Sequence, residues 1–134
     1  MTPVFVDTGA WFALADRSDQ YHSTATKLFS NLLSSRPLVT SNLVIAETQV
    51  LIRRNLGHDA AIRFLVNLNE SPRIQKVYSD ESLEEMALGI LKKFSDQDFN
   101  FVDAVSFSIM KKDSISEVFG FDTHFIVAGF SWLQ

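Results

Sequence analysis

Four acidic residues stand where an α/β protein would need them to hold a cation. Asp7 ends the apolar run Val4-Phe5-Val6, and Asp122 ends Val118-Phe119-Gly120-Phe121. Glu47 and Asp103 lie between them, each in or at the start of a helix-like stretch. Carboxylates gathered into one crevice repel each other, and sites built from a few carboxylates plus water suit Mg²⁺ or Mn²⁺. The chemistry open to such a site is metal-assisted hydrolysis, with a phosphate ester as the natural target.

Each acid also has a plainer reading. An aspartate after a strand often serves turn chemistry or caps the next helix. Asp103, at or just inside the start of Ala104–Met110, is well placed as a cap, because free N–H groups and the helix dipole stabilise an acid there. Glu47 shares a helical face with Leu43, Val50, Leu51 and Arg54. A carboxylate on that stripe is expected to be desolvated, and so to require a partner or a cation. Otherwise it pairs with Arg54, or marks a stripe edge that faces water. One acid is weak evidence, whereas four at strand and helix ends make a pattern.

Secondary candidates surround them. Thr8 either adds a hydroxyl beside Asp7 or caps the first helix. Asp98 sits with Asp96 in a polar loop whose ordinary fate is solvation. His124, two residues past Asp122, is placed to reach a substrate phosphate or leaving group, although a surface histidine is the simpler reading. His22, His58 and His124 lack zinc-ligand spacing and a cysteine companion. Ser106 has no G-x-S-x-G context, and the five glycines form no phosphate loop. Trp11, Phe12, Phe29 and Phe130 read as core or partner-facing.

The elements that must position these residues alternate along the chain. Residues 3–7 read as a strand, followed by helices over Thr8–Ala15 and Tyr21–Ser34. A strand at Leu38–Thr40 precedes a helix capped by Ser41 or Asn42 that runs to Asn55, with Gly57 as its stop. A helix over His58–Asn69, a strand over Arg73–Tyr78 and a helix from Ser79 or Asp80 to Phe94 come next. A helix from about Val102 to Lys112 and a strand at Val118–Phe121 complete the series, and an irregular tail ends in Trp132-Leu133. The alternation predicts a mostly parallel α/β sheet of four to five strands flanked by helices. In such sheets ligands bind beyond the carboxyl ends of the strands, where Asp7 and Asp122 fall.

Bulk properties are consistent with this. The 134 residues fit one domain over 1–134, and 46% hydrophobic content supports a true core. The absence of cysteine removes disulfides and thiolate metal sites, and is compatible with a reducing cytosol. The N-terminal stretch has no basic region and is not expected to be a signal peptide, and no membrane span is expected. With a net charge of −4, a nucleic-acid partner cannot be held by overall charge. It would need cations at the acids or local patches such as Arg53-Arg54, Lys92-Lys93 and Lys111-Lys112.

The motifs VFVDTGAWFAL, SNLVIAETQVLI, FSDQDFNFVDAVSFSIMKK and VFGFDTHFIVAGF, in this order, resemble a PIN domain. Within that superfamily they resemble the small toxin ribonucleases of the virulence-associated-protein C type. The resemblance implies a parallel sheet, a Mg²⁺- or Mn²⁺-dependent endoribonuclease, and an acidic quartet at Asp7, Glu47, Asp103 and Asp122. Asp7, Asp103 and Asp122 would hold the metal, with Asp98 a further acid found in some relatives. It also implies an RNA substrate, a cognate antitoxin protein, a homodimer and a cytoplasmic location. The family often carries Thr or Ser before the third acid, where this chain has Val102. That departure supports a rival reading, a catalytically weak RNA- or protein-binding module. A receiver-like phosphotransfer domain fits less well, because Lys111 and Lys112 precede the last strand instead of following it.

Overall fold

A computed structural model describes residues 1–133. Five strands form one sheet: β1 (Val4–Val6), β2 (Leu38–Ser41), β3 (Ile74–Val77), β4 (Glu117–Phe119) and β5 (Ser131–Trp132). Their order is β3-β2-β1-β4-β5, and every neighbouring pair is parallel. The connections are helical: α1 (Thr8–Ala15), α2 (His22–Ser35), α3 (Asn42–Leu56), α4 (His58–Glu70), α5 (Glu81–Lys93), α6 (Phe101–Lys112) and α7 (His124–Val127).

Parallel strands covered on both faces read as unbroken apolar runs. Val4, Phe5 and Val6 accordingly have no exposed surface, and β2 is buried throughout. Phe5, Phe107 and Phe125 pack together under β1, with ring centroids 5.0 Å apart for Phe107–Phe125 and 6.4 Å for Phe5–Phe125. Thr40 ties the layers by hydrogen bonding: its hydroxyl donates to the Val6 carbonyl at 2.9 Å and accepts from the Trp11 indole at 3.3 Å.

The chain steps outward from β1 to β2 to β3, then returns to place β4 on the other side of β1. The order therefore reverses between β1 and β4, and this reversal opens a crevice beyond their carboxyl ends. Two sequence expectations change at this end of the molecule. The tail is not irregular, since Ser131 and Trp132 form β5 beside β4. The last long strand stops at Phe119, so that Gly120 and Phe121 lead out of the sheet toward Asp122 and α7.

Candidate metal centre

Asp7 is the N-cap of α1, held in extended backbone at φ −95° and ψ 168°, yet its side chain makes no capping hydrogen bond. It is only 7% exposed. Burial pushes its carboxyl up to about 7, the neighbouring carboxylates of Asp103, Asp122 and Glu47 push in the same direction, and the Thr8 backbone opposes them. Gly120 passes directly over it: a Cβ at that position would lie 3.1 Å from the Asp7 Cβ. The close approach of the β4 exit to the β1 exit therefore favours glycine here.

Asp103 is buried in the first turn of α6. Asn100 is the N-cap: its side-chain oxygen accepts from the Asp103 N–H at 2.8 Å, and the Asn100 N–H donates to Asp103 Oδ2 at 3.1 Å. This reciprocal box fixes the Asp103 carboxylate while leaving Oδ1 free of it. Burial raises the Asp103 carboxyl above its usual range, the Asn100 N–H opposes, Asp122 raises it further, and His124 lowers it.

Asp122 closes the group from the β4 side. Its Oδ1 accepts from the His124 N–H at 2.9 Å, the local bond that starts α7. The Trp132 indole donates to the Asp122 carbonyl at 3.1 Å, so β5 braces the acid from behind. His124 Nδ1 lies 3.1 Å from Asp103 Oδ2 and 3.5 Å from Asp122 Oδ1. With Asp103 ionised, the contact requires the proton on His124 Nδ1, since an ionised carboxylate only accepts. One ligand atom from each of Asp103, Asp122 and His124 falls within 4.8 Å of the others.

Glu47 approaches from α3 by a different route. The buried face of α3 is Val44, Ile45, Thr48 and Ile52, so Glu47 is exposed, and the expected desolvation on the Leu43–Arg54 stripe does not occur. Val50, on that stripe, is 48% exposed. Glu47 is instead tied to the crevice by Thr8, whose hydroxyl donates to Glu47 Oε1 at 2.8 Å. Thr8 is thus the first residue of α1 and a link between acids, not a cap. Asp98 remains exposed in the loop before α6, and no side-chain hydrogen bond or ion pair joins it to the others among the described residues. His124 is not a free surface histidine: it is half-buried, with its ring edge-on to Phe99 at 5.3 Å. Sequence reading left the Asn100, Gly120 and Trp132 contributions unnoticed, although Asn-x-x-Asp before an apolar helix was a visible capping signal.

The donor set fits a divalent cation. Hard carboxylate oxygens converge, and Asp7 is driven toward its neutral form first by burial and then by the neighbouring carboxylates. Among the described residues no lysine or arginine pairs with any of the four acids; the one such bridge, Arg36–Glu117 at 2.7 Å, involves none of them.

Comparison with known proteins agrees with this architecture. Residues 4–131 match the family model for the PIN domain. The chain is 40% identical over 129 residues to the 23S rRNA-specific endonuclease VapC20 of Mycobacterium tuberculosis, covering 95% of each. It is 23% identical over 124 residues to a VapC ribonuclease of Archaeoglobus fulgidus, covering 90% of this chain and 77% of that protein. Among solved structures, VapC20 of M. tuberculosis, described as a sarcin–ricin loop cleaving toxin, superposes with a TM-score of 0.87 at 36% identity over 95% of both chains. FitAcB from Neisseria gonorrhoeae shares the fold, with a TM-score of 0.70 at 16% identity over 98% of this chain and 96% of that one. With its reversal point between β1 and β4 and its acids beyond both strand ends, this chain belongs to the PIN-domain family, in the virulence-associated-protein C type.

Proposed function

We propose that this protein is an endoribonuclease that hydrolyses RNA phosphodiester bonds with Mg²⁺ or Mn²⁺, and that it is the toxin of a toxin–antitoxin pair. The observation that carries the reading is the gathering of Asp103, Asp122 and His124 within 4.8 Å, with the buried Asp7 close enough to feel both aspartates and no lysine or arginine among the described residues paired with any of them. Asp7, Asp103 and Asp122 would hold the metal. When bound, it supplies Lewis-acid polarisation of the phosphate and acidification of water.

The chain's own residues do the rest. The Asn100 box and His124 orient Asp103, while Trp132 and the α7 start orient Asp122. Glu47, oriented through Oε1 by Thr8, keeps Oε2 available to orient the attacking water and accept its proton. The similarity to VapC20 supports the sarcin–ricin loop of 23S rRNA as the first substrate to test. A cognate antitoxin, a homodimer and a cytoplasmic location belong to the same reading.

Purified wild-type protein should cleave a sarcin–ricin hairpin RNA in Mg²⁺ and stop in EDTA. Folded Asp7→Asn and Asp103→Asn proteins should lose at least about 100-fold in rate, the scale on which loss of a preorganised charged group acts. Undiminished cleavage by both variants rejects the site. RNA binding without cleavage by the wild type favours the weak binding module.

A further inference from the structure

We propose that Tyr21, backed by Phe121, is the platform on which a nucleobase next to the scissile phosphate stacks; this rests on the ribonuclease reading above. The two rings lie parallel, 4.1 Å apart at an interplanar angle of 7°. Every other aromatic pair among the described residues is tilted by at least 31°. Offset-parallel and edge-on rings are both ordinary aromatic contacts, but only a parallel pair with an accessible member presents the geometry a base can continue.

The stack lies at the edge of the core, with Phe121 partly buried against it and Tyr21 exposed. Tyr21 is 39% exposed even though Phe121 covers one face of its ring. Its backbone is fixed at the entry to α2: the Tyr21 N–H donates to Asp19 Oδ2 at 2.9 Å, and the Tyr21 carbonyl accepts from the Ala25 N–H at 2.8 Å. Phe121 precedes Asp122 directly. It rests over the start of α1, where a Cβ on Gly9 would sit 3.8 Å from its ring and its backbone nitrogen. The platform therefore joins the two segments that carry Asp7 and Asp122.

Stacking answers a difficulty specific to this chain. A net charge of −4 gives RNA no general electrostatic attraction, so neutral contacts must position the strand around the acids. Every base has a π-face, and stacking on an aromatic side chain holds it with little dependence on sequence.

The test uses the full chain in Mg²⁺ and a sarcin–ricin hairpin RNA carrying 2-aminopurine in turn at each position flanking the cut. Rapid mixing with the wild type should quench one position before cleavage. Tyr21→Phe should retain the quench. Tyr21→Leu should lose it and raise KM by about 5- to 100-fold with little change in kcat, the pattern expected when uniform binding is removed. No quenched position in the wild type overturns the platform whatever the variants do. So does Tyr21→Leu with wild-type KM and quench, and if the wild type still cleaves, the nuclease reading survives. RNA that the wild type neither binds nor cuts overturns both.

Discussion

Asp7 links stability to chemistry at the residue scale. Its folded carboxyl titrates at about 7, against 3.8 for an ordinary aspartate. For an acid raised on folding, both states are protonated at low pH and the residue costs nothing. As pH rises through 3.8 the unfolded state ionises first, and the penalty grows until the folded carboxyl ionises near 7. Metal-free protein should therefore lose stability between about pH 4 and 7, by up to about 4 kcal/mol through this group. Asp7→Asn should melt several degrees higher than the wild type at pH 8 in EDTA and show no such gain at pH 4, while its cleavage is abolished. Equal melting points at pH 8 would show that Asp7 carries no burial penalty. Asp7, Asp103 and Asp122 were legible as singular acids because each interrupts an apolar context. His124 was harder to see, since one histidine without ligand spacing carries no signal until α7 turns it back toward Asp103.

The crevice depends on how closely two strand exits pass at the scale of elements. Gly120 leaves the end of β4 against Asp7, and an added methyl would meet the Asp7 Cβ at 3.1 Å. Gly120→Ala should force Asp7 aside by a few tenths of an ångström. Overpacking of this kind costs about 1–3 kcal/mol. On the proposed role of Asp7 as a metal ligand, its displacement should lower kcat about 10-fold or more, a fraction of the roughly 100-fold that a 1 Å misplacement costs. Thermal melts and cleavage rates check both, and wild-type kcat would show that Asp7 tolerates the shift. Glu47 illustrates why helical faces were misread. Leu43, Val50 and Leu51 form one apolar stripe on α3, and Val44, Ile45 and Ile52 form another beside it. Periodicity cannot decide between adjoining stripes; contact with the sheet does, and it selected the second. The strand β5 escaped notice because two residues are too short to show alternation, and pairing with β4 defines it.

Alternating helices and strands foretold a parallel sheet at the scale of the whole molecule, but not its order. That order comes from the return of the chain past β1 to place β4, a long-range choice that no local window contains. The reversal brings Asp7 and Asp122 to one crevice, with α6 delivering Asp103 and α3 delivering Glu47 to its edge. Exposed basic pairs stand in the last turns of α3 (Arg53-Arg54) and α6 (Lys111-Lys112); Arg54 lines a cavity with Thr8 and Glu47, but among the described residues none of these bases forms an ion pair with the four acids. The fold thus concentrates carboxylates where only His124 stands among them as a basic group, and the proposed function assigns their relief to a divalent ion. Isothermal titration of Mn²⁺ into wild-type and Asp7→Asn protein at pH 6 and pH 8 tests this most directly. Wild-type protein should bind about tenfold more tightly at pH 8, because binding must release the Asp7 proton, and Asp7→Asn should lose the event. Indistinguishable titrations of the two proteins, or no Mn²⁺ binding by the wild type at either pH, would contradict the account.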